Sequence, residues 1–326
     1  MERQPGKQRK ISVYLFFVFL VLLPLCFRTA EAQEFPTKPI TLIAPYGPGG
    51  TFDLTGRALV SVAMDYLGQP LIFQLKPGGG GVIGSDMVAA AAPDGYTLLF
   101  AGPGPNSTIP AIEGRSKGPD DLAAVCRINY SPPIIMVRSD SPFKTFKDVV
   151  DWAKANPGKL TFGHTGVWGA ADLPWKQIRL LTGIVTRDVP HTGGGPVLLA
   201  LLGGQVQVAS PMGTQAKPHV KAGKLRPLAI MDIQRDPELP DVPTLKELGY
   251  NVTYFLWKGI AAPKATPRPI IDKLALAFKK MTEDSSFVTM VKQFGDDIQY
   301  LGPDELAKVW KEEYESHKKL GQMMKK

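Results

Sequence analysis

The 326-residue chain is poor in cysteine and histidine, with two and four residues respectively. It contains no C-x-x-C, no H-E-x-x-H and no histidine–carboxylate cluster at ligand spacing, so we expect no dedicated metal site. It also lacks a G-x-S-x-G, the motif that carries the nucleophile of α/β-hydrolases. We therefore expect no catalytic residues and no cofactor.

The chain also lacks any basic run interleaved with aromatic residues, although its formal net charge is +8. Nucleic-acid-binding proteins concentrate positive charge on one face or along one segment. Here the excess of Lys and Arg is spread over the chain. It suits an anionic small molecule, and we do not expect nucleic acid as a partner.

The N-terminal segment is typical of a secretory signal peptide. A basic start (residues 3–10) precedes an almost wholly apolar run (11–27), and "AEA" (30–32) fits the small-x-small rule for cleavage. An uncleaved anchor and acylation at Cys26 are the alternatives. Cleavage after residue 32 leaves Cys126 as the single cysteine, so no internal disulfide can form and apolar burial must stabilise the fold.

The remaining 294 residues alternate short β-rich runs with helix-like stretches, a pattern typical of parallel α/β units. A chain of this length most naturally forms two domains. Strands are predicted at 40–44, 71–75, 96–100, 134–137, 160–163, 206–210 and 225–231. Helices are predicted at 53–67, 84–92, 145–155, 172–182, 195–202, 214–222, 268–282, 284–294 and 303–320.

The loop "YGPGGTFD" (46–53) joins the first predicted strand to the first predicted helix. The first N–H groups of a helix lack partners within the helix and carry the positive end of its dipole. Gly49 and Gly50 would let a ligand approach this backbone, Thr51 adds a hydroxyl, and Asp53 is the expected N-cap. Either an anion site or an ordinary capped turn explains the pattern.

A second glycine cluster (78–84) contains a formal G-x-G-x-x-G starting at Gly79. The acidic residue that a dinucleotide site needs about 20 positions later is missing. We interpret the cluster as a loop that allows close backbone approach and opens a helix at Gly84.

Two further polar loops, "GHTGVWGAAD" (163–172) and "PHTGGGP" (190–196), each follow a strand-like run and precede a predicted helix. His191 is a candidate ligand contact, with an ordinary loop hydrogen bond as the alternative. Trp168 lies in a glycine-rich loop, where a core-packing role is unusual. It could pack against the flat or apolar part of a ligand.

The mature chain resembles the solute-binding proteins of tripartite tricarboxylate transporters, the Bordetella uptake gene family. The matching stretches run in order: "FPTKPITLIAPYGPGGTFD" (35–53), "LGQPLIFQLKPGGGGVIG" (67–84), "AAPDGYTLLFAG" (92–102), "NPGKLTFG" (156–163), "LLGGQVQVA" (201–209), "HVKAGKLRPLAI" (219–230), "LPDVPTLKELGY" (239–250) and "GIAAPKATP" (259–267).

This resemblance implies a periplasmic, two-lobed α/β clamshell of the type II periplasmic binding protein class, with each lobe a β-sheet flanked by helices. Lobe 1 would comprise 33–132 plus 256–326, and lobe 2 would comprise 133–255. The ligand would be a small organic carboxylate held in the cleft. The expected ligand-binding residues are Tyr46, Gly49, Gly50, Thr51, Asp53, Gly104, Asn106, Thr165, Gly166, Val167, Trp168, Asp172, His191, Thr192 and Gly193.

The resemblance further implies a monomer that delivers its ligand to membrane permease subunits and does no chemistry on it. A sensor that presents the ligand to a receptor kinase is the alternative, and a secreted hydrolase is a remote one.

Departures from the family pattern lie mostly in the second lobe, at 167–172, 191–194 and Gln207. They favour a monocarboxylate or an aromatic acid over a small amino-dicarboxylate or a citrate-like ligand.

Overall fold

Two β-sheets, each covered by helices, form the frame of the structure, which is a computed structural model describing residues 35–294 and 296–324. The predicted signal peptide (1–32) lies outside the described residues. The residues from Lys38 onward belong to one unit that contains both sheets.

The strands are β1 (Ile40–Ala44), β2 (Leu71–Leu75), β3 (Thr97–Ala101), β4 (Leu122–Ser131), β5 (Ile134–Arg138), β6 (Leu160–His164), β7 (Thr186–Pro190), β8 (Val208–Ala209), β9 (Leu225–Ile230), β10 (Leu256–Pro263) and β11 (Asp297–Leu301). The α-helices are α1 (Thr51–Leu67), α2 (Val82–Ala89), α3 (Ile109–Glu113), α4 (Phe146–Ala155), α5 (Asp172–Thr182), α6 (Gly194–Leu202), α7 (Gly213–Lys221), α8 (Arg268–Glu283), α9 (Ser285–Gln293) and α10 (Pro303–Met324).

The first sheet has six strands in the order β11-β4-β10-β3-β1-β2. Strand β1 pairs in parallel with β2 and β3, whereas β10 runs antiparallel to both β3 and β4. The sheet is therefore mixed, although the alternation of strands and helices predicts parallel units. The difference arises because β10 returns to this sheet after the second sheet is complete.

The second sheet has five strands in the order β7-β6-β8-β5-β9. Strand β6 is parallel to β7 and β8, and β5 is antiparallel to β8 and β9. The chain passes from the first sheet to the second between Ser131 and Ile134, and it returns between Ile230 and Leu256. The predicted fold class, two sheets flanked by helices, is confirmed.

The second sheet is apolar on both faces, which explains its continuous apolar strand sequences. Ile135 and Val137 face the side that α4 and α5 cover, while Ile134 and Met136 face α6 and α7. Trp175 of α5 is fully buried on the first of these faces. Helix α4 begins with a capping box, in which Thr145 and Asp148 satisfy each other's backbone N–H groups.

Pattern reasoning missed four strands: β7 of the second sheet, and β4, β10 and β11 of the first. Strand β10 contains Lys258, which breaks an apolar run but is fully buried because its ammonium donates to Asp296 Oδ2 at 2.5 Å. Asn129 of β4 donates to the same oxygen. Strand β11 interrupts what was predicted as an unbroken run of helices, and β4 was not predicted.

Smaller differences concern element boundaries. The expected strand at 206–210 is only two residues long, Val208–Ala209. Helix α2 begins at Val82, two residues before the expected start at Gly84, because a 3₁₀ turn (Gly79–Gly81) leads directly into it. In the described part of the chain, no helix combines the length and apolar character needed to cross a membrane.

Candidate ligand-binding site

The candidate site is a cavity between the two sheets, at the carboxyl ends of β1, β6 and β8. Ligands of open α/β sheets collect at such strand ends. The space open to the centres of water molecules is about 50 Å³, room for roughly four waters. The cavity is lined by Tyr46, Gly47, Gly50, Thr51, Phe52, Thr165, Ala170, Gly193, Gly194, Val197, Ser210, Pro211, Met212, Gln215 and Leu256.

The loop after β1 places the N-terminus of α1 against this cavity. The helix starts at Thr51, and Gly50 is its N-cap, with an extended backbone at φ −86° and ψ 171°. The expectation that Asp53 is the N-cap is therefore wrong. Asp53 is the third helical residue, and its Oδ2 accepts the N–H of Gly49 at 3.0 Å.

Asp53 is nevertheless central to the shape of this loop. Its Oδ1 accepts from Arg57 Nε at 2.8 Å, one helical turn later, and its carboxylate is almost fully buried. Gly49 has φ +77°, the left-handed region in which glycine carries no Cβ penalty. The carboxylate thus fixes the loop through its contacts with Gly49 and Arg57, and it does not line the cavity.

The first N–H groups of α1 remain free for a ligand. The first helical backbone bond runs from Leu54 N–H to Gly50 C=O. Within the described residues, the N–H groups of Thr51 and Phe52 donate to nothing, and both residues line the cavity. Together with the hydroxyl of Thr51, they form a donor surface for an oxyanion at the positive end of the helix dipole.

The loop after β6 repeats this arrangement in the second sheet. The backbone N–H of Trp168 donates to Asp172 Oδ2 at 2.6 Å, and Lys176 pairs with the same carboxylate one turn later. Trp168 has φ +61°, the same backbone region as Gly49. Asp172 is buried and lies 3.7 Å from His164 Nδ1, so it too supports the loop from beneath.

The side chain of Trp168 points away from the cavity. Its indole N–H donates to Glu113 of α3, which belongs to the first-sheet half of the chain, and Lys176 Nζ lies 4.6 Å from its ring centroid. Val167 is 53% exposed and also lies outside the cavity lining. Of the predicted ligand-binding residues in this loop, Thr165 lines the cavity; Ala170, which was not predicted, also lines it.

Asn106 has an internal role that sequence reasoning missed. It is fully buried; its Oδ1 accepts from Gly102 N–H at 3.1 Å. Its amide nitrogen donates to Ser85 Oγ at 3.0 Å and Lys117 C=O at 2.9 Å. Every donor and acceptor of this side chain is thus used within the fold. Gly104 begins the same buried turn and likewise lies outside the cavity lining.

The third predicted loop, 191–193, contributes backbone to the cavity. His191 donates its backbone N–H to His164 C=O at 2.8 Å, and Gly193 lines the cavity. Burial, together with the charge of the nearby His164, lowers the pKa of His191. A lowered pKa keeps its imidazole neutral at pH 7. Thr192 is exposed and is not among the lining residues.

Of the predicted site, the structure brings five residues to the cavity: Tyr46, Gly50, Thr51, Thr165 and Gly193. Burial raises the pKa of Tyr46, so its hydroxyl stays protonated. The residues that sequence reasoning missed include Phe52, Ser210 and Gln215. Only the position of Ser210 in the sheet could have indicated its role. It follows β8, and β8 pairs with β6, the strand that precedes Thr165.

The two halves of the site touch each other directly. Gln215 Nε2 donates to Gly49 C=O at 3.3 Å. A Cβ at Gly195 would lie only 3.3 Å from Gly49 O, so a side chain there would crowd the two loops. A ligand larger than the present cavity therefore requires the sheets to move apart.

Among the residues that the structure describes, no charged side chain lines the cavity. Three cations on the helices that follow the lining loops are paired: Arg57 with Asp53, Lys176 with Asp172, and Lys217 with Asp236 at 2.8 Å. In the described ranges, no group of three or more His, Cys, Asp or Glu residues is arranged to hold a metal ion. The site therefore offers backbone N–H groups, hydroxyls and one amide to a ligand.

Two helix-flanked sheets with a cavity at their strand ends define the class of two-lobed binding proteins. The chain belongs to the TctC family, described as the tripartite tricarboxylate transporter family receptor, whose model matches residues 56–326. It is 35% identical over 279 residues to the UPF0065 protein in the gbd 5' region of Cupriavidus necator, covering 85% of each chain.

Solved structures agree with this assignment. The chain is similar to the periplasmic binding protein BugD, with a TM-score of 0.82 and 28% identity, over 89% of this chain and 98% of BugD. It is also similar to MatC from Rhodopseudomonas palustris with bound malate, with a TM-score of 0.81 and 28% identity, over 88% and 100% of the two chains. The family and fold are those of solute-binding proteins, which are not enzymes.

Proposed function

We propose that this protein captures a small organic carboxylate in the periplasm and delivers it to the membrane permease of a tripartite tricarboxylate-type transporter. Export would follow removal of residues 1–32 as a signal peptide. The lobes would be 33–132 plus 256–326 and 133–255, which close on the ligand. The observation that supports this best is the cavity whose first-lobe wall contains the free N–H groups of Thr51 and Phe52.

Physical reasoning supports a carboxylate over a neutral ligand. Each charge-assisted N–H contact contributes about 1.5–3 kcal/mol, and a micromolar ligand needs about 8 kcal/mol in total. Two such contacts, the Thr51 hydroxyl and apolar contact with Tyr46 and Phe52 can reach that range. The malate bound in MatC, a structure similar to this chain, is itself a carboxylate.

Between the two ligand types expected from the sequence, the geometry favours the monocarboxylate. The aromatic acid was inferred from Trp168, whose ring contacts Lys176 and Glu113 outside the cavity. The small cavity and its lack of a lining cation fit a short acid with one carboxylate. Lobe closure around it would give the permease a loaded shape distinct from the empty one.

A panel of organic acids tests the proposal on protein purified from the periplasm after export of the full chain. At about 100 times its dissociation constant, a bound acid adds about 2.7 kcal/mol to the free energy of unfolding. The melting temperature should then rise by roughly 4–8 °C. A panel of mono-, di- and tricarboxylates in which none shifts the melting temperature would contradict the proposal.

The variant Gly50→Val tests whether this loop makes the contact. Gly50 has an ordinary backbone, and a Cβ there would meet only Gly47 O at 3.9 Å, so the fold should tolerate Val. The isopropyl group should block ligand approach and abolish binding. Gly302→Val is the matched control: Gly302 precedes α10 and accepts from Leu306 N–H, as Gly50 accepts from Leu54 N–H. Unchanged affinity in Gly50→Val would exclude this loop from the site.

A further inference from the structure

Ser210 presents a buried hydroxyl with no partner at the wall of the cavity. The residue is 2% exposed and lines the cavity, and its Oγ has no hydrogen-bond partner among the described residues. A buried hydroxyl without a partner costs free energy, and such groups in native proteins usually have a partner when the protein is in its functional state. The hydroxyl therefore points to a ligand group that completes it.

The position of Ser210 follows from the second sheet. Strand β8 pairs in parallel with β6, with Ala209 beside Gly163, so Ser210 comes next to His164 at the same edge. This edge faces the loop that carries Thr51 across the cavity, since Thr51 and Ser210 both line it. A ligand whose carboxylate occupies the N-terminus of α1 would thus direct its other end toward Ser210.

The charges around this second end disfavour another carboxylate. Asp172 and Asp236 lie on the second-sheet side, and each is already matched by a lysine, Lys176 and Lys217 respectively. Lys217 also pairs with Glu238 at 2.9 Å. A second buried carboxylate would gain no unpaired cation and would lose its hydration, which is costly in a closed site. A neutral polar group has no such cost.

We infer that Ser210 forms a subsite for a neutral hydroxyl group, so that the ligand is a short hydroxy-monocarboxylic acid and not a dicarboxylic acid. This inference rests on the proposed function and specifies its ligand class. Gln215 lies in the same wall and offers its amide oxygen, while its amide nitrogen donates to Gly49 C=O. The hydroxyl of Ser210 can either donate to or accept from a ligand hydroxyl. An ionised carboxylate can only accept a hydrogen bond from it.

The test measures dissociation constants by calorimetry for matched acids: propionate and lactate, then butyrate with 3-hydroxybutyrate and 4-hydroxybutyrate. Succinate and malate are the dicarboxylates for comparison. At least one hydroxy acid should bind about tenfold more tightly than its deoxy partner, as expected for one added hydrogen bond in a buried site. Both dicarboxylates should bind more weakly than that hydroxy acid.

The variant Ser210→Ala should remove this preference while leaving the deoxy acids unchanged. The fold should survive, because the Oγ makes no bond in the protein. Ser116→Ala is the matched control, since Ser116 Oγ is also buried without a partner but lies outside the cavity lining. The control should keep the full hydroxy-acid preference.

Three results would overturn the inference alone: monocarboxylates bind without any hydroxyl preference, the preference survives Ser210→Ala, or a dicarboxylate binds most tightly. If no acid of either kind binds, the proposed function fails together with the inference. These outcomes are distinguishable because the deoxy acids report on the carboxylate contact by themselves.

Discussion

The loops after β1 and β6 have the same construction in the two sheets. Each carries a left-handed residue, Gly49 or Trp168, whose N–H donates to an aspartate four positions later. That aspartate then pairs with a cation four residues further along, Arg57 or Lys176. Both loops are thus stabilised by the same set of contacts: a left-handed residue, an aspartate and a cation at four-residue spacing.

The loops differ in how deeply the aspartate–cation pair is buried and in what the left-handed residue contacts. The side chain of Arg57 is 66% exposed, whereas that of Lys176 is 25% exposed and lies beside the Trp168 ring. The first loop has glycine in the strained position and leaves the helix end open to a ligand. The second has tryptophan there, and its indole N–H donates to Glu113 on the first-sheet side.

The largest difference between the loops should appear when each aspartate is removed. Asp172→Ala leaves Lys176 and the Trp168 N–H without their buried partner and should cost about 3 kcal/mol of unfolding free energy. Asp53→Ala should cost about 1–2 kcal/mol, because water can solvate Arg57. Urea unfolding measures both.

The exposed Lys147–Asp151 pair of α4 serves as the control for these substitutions. It has the same four-residue spacing but supports no loop. Asp151→Ala should give no measurable loss. Equal losses of unfolding free energy for Asp53→Ala and Asp172→Ala would show that the deeper burial of the second ion pair adds no stability.

A smaller effect should come from the strained position itself. Trp168→Gly should be more stable than Trp168→Ala by about 1 kcal/mol, because alanine retains a Cβ at φ +61° and glycine does not. Gly49→Ala should be destabilising by a similar amount, about 1 kcal/mol. If Trp168→Ala is more stable than Trp168→Gly, the left-handed backbone at residue 168 does not carry the Cβ penalty expected at residue 49.

The smallest effect concerns binding. The sequence predicts that Trp168→Ala changes which acid is preferred, whereas the position of the ring outside the cavity predicts a uniform weakening. We expect about a two- to fivefold loss for every acid, the size of one exposed hydrogen bond between the lobes. Glu113→Ala, which removes the acceptor, should have a similar uniform effect. If the Trp168 variant instead changes which acid binds most tightly, Trp168 contacts the ligand.

Much of the fold could be predicted because its strands are apolar and its loops are rich in glycine and proline. Strands β1 and β2 and helix α5 have the predicted boundaries, since each is a regular pattern ended by turn residues. Strand β10 could not be found this way. Its Lys258 interrupts the apolar pattern, and its buried partner is Asp296, 38 positions later, which no local pattern shows.

The site was predictable in one respect and not in another. The turn at Gly50 and Thr51 could be proposed from the sequence because a glycine pair before a helix leaves its first N–H groups accessible, although an ordinary capped turn has the same pattern. Ser210 and Gln215 could not, because neither lies in a motif. They reach the cavity only through the order of β6 and β8 in the second sheet.

By itself, the sequence determined which turns expose backbone N–H groups, because glycine content and helix starts are local properties of a few residues. The tertiary structure alone decided which of those turns face one another, which carboxylates support loops, and which hydroxyl is left without a partner. These depend on strand order and on contacts between distant residues, such as Gln215 with Gly49, which no local pattern encodes.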